Sequence, residues 1–252
     1  MSKNILIVTV AGQSSRFSKS IGRPCLKCIY YRNSFEESLL YRMLQRHKYF
    51  DRIVIVGGNQ YDLLKSTVED KFRNILTKIQ LVQNKEYSAY GSGYSLYKGY
   101  EAVRDDEFES LVFAEGDLYL DDPSFEKVIT SEKNVMTYNR QIIESDKSVA
   151  FYIAADGRPH YIYDAKHSLL EINEPFRAIY NSGQVWKFTD PDLLRKVFDG
   201  LADTDLQGTN LVPVNGYFQS LKSTDYELIG FDTWINCNTV GDFNRSLERK
   251  PI

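Results

Sequence analysis

The stretch ILIVTVAGQSSRF, residues 5–17, decides how the rest of the chain is read. Six residues, five of them apolar and five β-branched, run without polar alternation, which is the pattern of a strand covered on both faces in a largely parallel sheet. The run stops at Ala11-Gly12 and gives way to a small, polar loop in which Arg16 is followed by Lys19, Arg23 and Lys27. In an open α/β sheet the ligand lies beyond the carboxyl ends of the strands. Residues 11–16 are therefore expected to line that crevice. Ala11, Gly12, Ser14 and Ser15, with Gln13 among them, are small enough for backbone N–H groups to approach an anion, and Arg16 can place two donors on phosphate oxygens at once. The loop predicts a polyphosphate site.

Outward from this loop the same alternation repeats. Buried-strand runs are predicted at residues 5–10, 53–56, 79–82, 111–113 and 135–138. Helical spacing lies between the first four. Ser34 reads as the N-cap of a helix whose acidic first turn, Phe35-Glu36-Glu37, leads into Leu39, Leu40, Met43 and Leu44. Residues 61–72 and 93–103 are the next two helices. Strand–helix alternation predicts an α/β fold: a Rossmann-like, mostly parallel mixed sheet with helices on both faces. After Asp117 the pattern changes. Two aromatic runs flank Asp156-Gly157, a hairpin signal, and AIYNSGQVWKF continues as a further strand, so the second half is expected to form an antiparallel wall. A helix is predicted from Asp190-Pro191 through Phe198, and the last near Asp242. With no repeat or linker, the 252 residues are read as one domain, with 1–120 as a nucleotide-binding half and 121–252 as an acceptor-binding half.

Composition narrows the function. A formal net charge of −3 gives no bulk reason to bind nucleic acid or a membrane surface, so anion affinity has to be local. No stretch approaches the ~20 apolar residues of a membrane span, and the first residues lack a signal-peptide pattern. A cytoplasmic protein is expected. Cys25, Cys28 and Cys237 are too few, and odd in number, for a disulfide framework. Cys25 and Cys28 form C-x-x-C, but no second pair completes a zinc site, and ordinary thiols are the preferred reading.

AGQSSRF followed by RPCLK resembles the signature of the nucleotidyltransferases that make activated sugars and alcohols, in which a Gly-rich loop with Arg-Phe is followed by Pro-Lys. Three further stretches match in order. VQNKEYSAYGSGYSL resembles the family's Gln and Gly-Thr, which hold base and ribose, and places Gln83, Gly91, Ser92 and Gly93 in those roles. LVFAEGDLYL puts Asp117 at the family's metal aspartate. TWINCNTVGDF resembles the closing segment, with Asn238 in the second metal position, Thr239 as N-cap of the last helix and Asp242 in a capping role. The fold implied is of the GT-A type.

What the resemblance implies is transfer of a nucleoside monophosphate from a nucleoside triphosphate to a phosphorylated small molecule, with release of pyrophosphate. A phosphate oxygen of the acceptor attacks the α-phosphorus in line. Mg²⁺ on Asp117 and Asn238 would align the groups, while Arg16 and Lys27 neutralise the leaving pyrophosphate. CTP is favoured, since GSGYSLYKGYEAV looks closest to bacterial choline-phosphate cytidylyltransferases and their capsule or cell-wall relatives. The sequence departs from the family in three places. Cys25 stands where the lysine after Pro is expected, with Lys27 two residues on; Ser14 replaces a glycine, a mild change if its φ is negative; and EINEP matches Glu-Lys-Pro loosely, with Glu171 in a binding role and Glu174 at the lysine position. Asn181 and Gly183 match the family's acceptor-side Asn-x-Gly. The acceptor is expected to be an alcohol phosphate such as phosphocholine, or a sugar phosphate. Tyr152, Tyr161, Tyr163, Tyr180 and Trp186 could cage a quaternary ammonium, or simply pack the wall. A homodimer stays open, as do two other functions: a nucleotide-sugar glycosyltransferase, and a nucleotide-binding domain without catalysis.

Overall fold

In a computed structural model the described residues are 3–162 and 168–249. The first half alternates as β1 (Asn4–Thr9), α1 (Ser15–Ile21), α2 (Leu39–Leu44), β2 (Arg52–Gly57), α3 (Tyr61–Lys71), β3 (Ile79–Gln83), α4 (Ser92–Glu101) and β4 (Ser110–Glu115). It continues through β5 (Leu118–Leu120), α5 (Asp122–Thr130), β6 (Asn134–Asn139), β7 (Ala150–Ala154), β8 (Pro159–Ile162) and β9 (Phe176–Phe188). The chain closes with α6 (Pro191–Asp199), α7 (Asp203–Gln207), α8 (Leu211–Gln219), β10 (Tyr226–Gly230), β11 (Trp234–Asn236) and α9 (Val240–Glu248). No helix among the described residues is long and apolar enough to cross a membrane.

The main sheet runs β10-β6-β9-β4-β1-β2-β3, with β7 added to β9 and β8 to β7. β1 pairs in parallel with β2 and β4, and β2 with β3, while β9 runs antiparallel between β4 and β6. Burial on both faces explains the unbroken apolar runs. Ile5 and Ile7 of β1 face a core with Leu96 and Tyr100 of α4, Phe198 of α6 and Tyr217 of α8. Leu6 and Val8 face the opposite core with Leu40 and Met43 of α2, Val68 of α3 and Phe125 of α5. This is the Rossmann-like mixed sheet with helices on both faces that the sequence predicts. The β7–β8 hairpin turns at Asp156-Gly157, where Gly157 adopts φ 86°.

Ser34 does not cap α2. It precedes a 3₁₀ turn, Phe35–Glu37, and makes no capping bond; Ser38 is the N-cap and accepts from the backbone of Tyr41. The acidic turn and the apolar stripe are two short elements, with Ser38 completely buried between them. At the other end of the chain, Thr239 and Asp242 form a reciprocal capping box that fixes the start of α9.

Candidate active site

The loop after β1 is pinned to the loop after β2: Asn59 N–H donates to the Ala11 carbonyl at 3.2 Å, and its side chain donates to the Gln13 carbonyl at 3.2 Å. The loop lies at the carboxyl end of the parallel strands and walls a cavity of about 700 Å³. Ala11, Gly12, Gln13, Ser14, Ser15, Arg16 and Lys27 all line that cavity, as do Gly91, Ser92, Asp117 and Asn238. Gly12 presents open space: a Cβ built there meets nothing within 4 Å. Ser14 adopts φ 54°, the left-handed region that glycine fills at little cost, so the condition of a negative φ is not met. Its hydroxyl accepts from Lys27 N–H at 3.3 Å, tying the first loop to the lysine segment.

That tie bears on the Cys25 question. Cys25 N–H and C=O both engage the Ser18 hydroxyl, Leu26 is buried in the core, and Lys27 starts a short 3₁₀ turn. The result brings Lys27 Nζ to 2.6 Å from Asp117 Oδ2, with each side chain about one-fifth exposed (18% and 19%). Arg16 donates from Nη2 to Asn238 Oδ1 at 2.9 Å. Burial pushes the Cys28 thiol up to about 12 and raises that of Cys25, so both are held as thiols and not as reactive thiolates.

Asp117 and Asn236 stand out for what they lack. β5 and β11 form a short antiparallel ladder in which Asn236 pairs with Leu118 and Cys237 N–H donates to the Asp117 carbonyl. Asp117 Oδ1 and Asn236 Oδ1 are both buried and have no hydrogen-bond partner among the described residues. Leaving such oxygens unpaired is costly. Asn238, by contrast, has its amide oxygen engaged by Arg16. Two hard oxygen donors on adjacent rungs, carried by residues that line the cavity, fit a magnesium ion that keeps water and phosphate oxygens for its remaining positions. The strand β11 ends at Asn236, and Asn238, two residues on, also lines the cavity.

Several lining residues were not singled out from sequence: Tyr87, Tyr90, Glu115, Lys147, Gln184 and Asn236. Glu115 ends β4, two residues before Asp117, and its spacing was the available signal. Burial above all, then the Asp117 charge, pushes its carboxyl up to about 7, against the opposing hydrogen bond from Asn210.

Other predicted residues are placed away from the cavity or have their polar groups engaged by the chain itself. Gln83 is exposed at the end of β3 and does not line the cavity. Gly91 N–H donates to the Gln207 carbonyl and Gly93 N–H to the Gly208 carbonyl, both at 3.1 Å, so these amides are already used by the chain itself. A Cβ on Gly91 would lie 2.1 Å from the Gly208 carbonyl oxygen; the glycine permits that close approach. Glu171 is exposed away from the cavity. Asn181 is buried and anchors the loop before β7, donating to the Ile142 carbonyl and the Ser148 hydroxyl. Gly183 packs against Thr137 and Phe231. Glu174 accepts from the Tyr152 hydroxyl at 2.6 Å. Tyr152, Tyr161, Tyr180 and Trp186 pack into the wall: Trp186 stacks on Phe113 and donates to Tyr161, Tyr180 stacks on Phe151, and Tyr152 stacks on His160. None of these four lines the cavity, whose tyrosines are Tyr87 and Tyr90; Tyr163 lies outside the described residues.

Residues 23–249 match the model of a domain of unknown function, DUF6564. The chain belongs to that family. No curated protein matches its sequence. Among solved structures, the chain is similar to the CTP:phosphocholine cytidylyltransferase of Streptococcus pneumoniae, with TM-score 0.64 and 16% identity over 98% of each chain. It is similar to the inositol-1-phosphate CTP transferase of T. maritima at TM-score 0.64 and 18% identity, covering 98% of this chain and 96% of that one. A UDP-glucose pyrophosphorylase bound to UDP-glucose matches at TM-score 0.64 and 16% identity over 98% of each chain. This member of DUF6564 thus has the nucleotidyltransferase fold.

Proposed function

We propose that this protein is a nucleotidyltransferase that moves a nucleoside monophosphate from a nucleoside triphosphate onto a phosphorylated small molecule and releases pyrophosphate. The single observation that carries the reading is the cavity chemistry. Two cations, Arg16 and Lys27, face two partnerless buried oxygens, on Asp117 and Asn236, beside a small-residue loop at the carboxyl end of β1. In this reading Gly12 and its neighbours admit the triphosphate, and Arg16 forks onto its outer phosphates. Lys27 shares its charge between Asp117 and the departing pyrophosphate, which the acceptor's phosphate oxygen displaces from the α-phosphorus. Asp117 and Asn236 would hold Mg²⁺, which would supply stabilisation of the negative charge of the phosphates. CTP is the favoured donor and an alcohol phosphate such as phosphocholine the favoured acceptor, supported by the likeness of residues 91–103 to choline-phosphate cytidylyltransferases and by two solved neighbours described as CTP-dependent. A binding-only domain would follow if the position of Cys25 left the site without a lysine, and Lys27 in the cavity lining weakens that alternative.

The test is pyrophosphate release from each of the four nucleoside triphosphates against a panel of phosphorylated alcohols and sugars. Turnover with at least one pair is expected, dependent on divalent cation and abolished in Asp117→Asn with the fold retained. Absence of pyrophosphate across the whole panel, or Asp117→Asn activity near that of the wild type, overturns the reading.

A further inference from the structure

Below the two partnerless oxygens runs a chain of amides with one fixed end. Glu115 Oε1 accepts from Asn210 Nδ2 at 2.7 Å, and Oε2 accepts from Gln184 Nε2 at 2.8 Å. Gln184 Oε1 in turn accepts from Asn236 Nδ2 at 3.4 Å. An ionised carboxylate only accepts, whereas each amide has a donor end and an acceptor end. The order therefore follows from Glu115. Gln184 must turn its NH₂ towards the carboxylate, which points its carbonyl at Asn236; Asn236 must turn its NH₂ towards Gln184, which leaves its own oxygen without a partner on a residue that lines the cavity.

The backbone at Gln184 is shaped for this task. Gln184 has φ 55°, a conformation costing about 1–2 kcal/mol in a residue with a side chain. It falls where the β6–β9 register shifts between Met136 and Tyr138, an irregularity of the sort that re-aims a side chain next to a site. Thr137 steadies the distortion, since its hydroxyl donates to the Val185 carbonyl at 2.7 Å and accepts from Val185 N–H at 3.2 Å. At the far end, Asn210 is buried and held by the Ser92 hydroxyl.

We infer that Glu115 is a positioning residue, acting through Gln184 to present the amide oxygen of Asn236 to a divalent cation. The inference rests on the proposed function for the cation itself and adds what orients one of its ligands. Groups that orient a metal ligand typically change metal affinity about ten- to a hundredfold when removed.

The experiment is Mn²⁺ binding to the full chain by electron paramagnetic resonance at pH 8, without nucleotide, with a melting curve for each variant. The wild type is expected to bind Mn²⁺ and Asp117→Asn to lose it. Glu115→Gln should weaken binding about tenfold, because an amide in place of the carboxylate can present either its donor or its acceptor end and the order of the chain is lost. Gln184→Met, which removes the middle link and keeps the Glu115 charge, should weaken it similarly. Glu115→Gln combined with Gln184→Glu should restore affinity to within about threefold, since the carboxylate moved to the middle link would accept from both neighbours. Weakening by Glu115→Gln with none by Gln184→Met would show that only the charge matters and would overturn the relay. If Glu115→Gln does not fold, Gln184→Met decides alone. Asp117→Asn loss with both relay variants at wild-type affinity overturns the relay and leaves the cation site standing; no Mn²⁺ bound by the wild type overturns both.

Discussion

Lys27→Ala removes the partner of a carboxylate whose side chain has no other among the described residues. The Lys27–Asp117 pair spans 2.6 Å and each side chain is about one-fifth exposed. At an effective dielectric of about 20 the gross attraction is roughly 6 kcal/mol, most of it offset by the desolvation of the two ions. Breaking a fully buried pair costs about 3–5 kcal/mol and an exposed one about 0–1, so this intermediate pair should cost about 2–3 kcal/mol. The upper half of that range is favoured because Asp117 Oδ1 already lacks a hydrogen bond, and the substitution strips Oδ2 as well. For a chain of this size the loss corresponds to roughly 4–12 °C in melting temperature. Asp117→Asn should cost less, about 1 kcal/mol, because the freed lysine can extend along its four-carbon stem towards water. The Lys27→Ala/Asp117→Asn double variant should be more stable than Lys27→Ala, having no stranded charge. Urea titration followed by circular dichroism reads all three. A Lys27→Ala midpoint equal to wild type, or a double variant less stable than the lysine variant, would refute the argument.

Gly12→Ala should leave stability within about 0.5 kcal/mol of wild type, since the added methyl meets nothing within 4 Å among the described residues; calorimetric titration with CTP should nonetheless show affinity reduced at least tenfold. The Glu115 carboxyl, raised from 4.5 to about 7 by burial and by Asp117, makes the protonated form the one the fold favours. Its contribution to stability is therefore full below pH 4.5 and is given up as pH rises to about 7, by at most about 3 kcal/mol. Denaturation midpoints of Glu115→Gln across that interval should fall less steeply than those of wild type; parallel curves would contradict the assignment.

The strands of the first half were legible because both their faces are buried, and a residue between two cores has no reason to be polar: Ile5 to Val8 are all fully buried. The loop after β1 was legible for a related reason, since small residues and an arginine directly after such a strand have few structural explanations. Sheet order was not legible. β9 sits between β4 and β6 although it follows both in sequence, and only its pairing with each reveals that. Nor could Gln83 be separated from a cavity residue, because the direction of a side chain at a strand end depends on how the next loop leaves. Ser34 and Ser38 are equally good caps on paper, and burial of Leu39 and Leu40 decides between them.

The two asparagines after Trp234 show where spacing alone runs out. In an extended chain residues two apart point to the same side, so Asn236 and Asn238 are both able to face the cavity, and both line it. Composition treats them alike. What separates them is the partner each oxygen has: Arg16 crosses from α1 to occupy that of Asn238, while the NH₂ of Asn236 is drawn away by Gln184 and its oxygen is left bare. Neither Arg16 nor Gln184 is near 236 in sequence. The same holds for Lys27, whose place is set by Ser14 and Ser18 gripping the backbone on either side of Leu26. Residue type and order point to the kind of chemistry, whereas the assignment of each ligand is settled by hydrogen bonds between residues far apart in the chain. A swap of roles is therefore directly measurable: Asn238→Ala should free Arg16 yet leave Mn²⁺ affinity within about twofold, while Asn236→Ala should weaken it about tenfold or more, and the reverse ranking would return the ligand to Asn238.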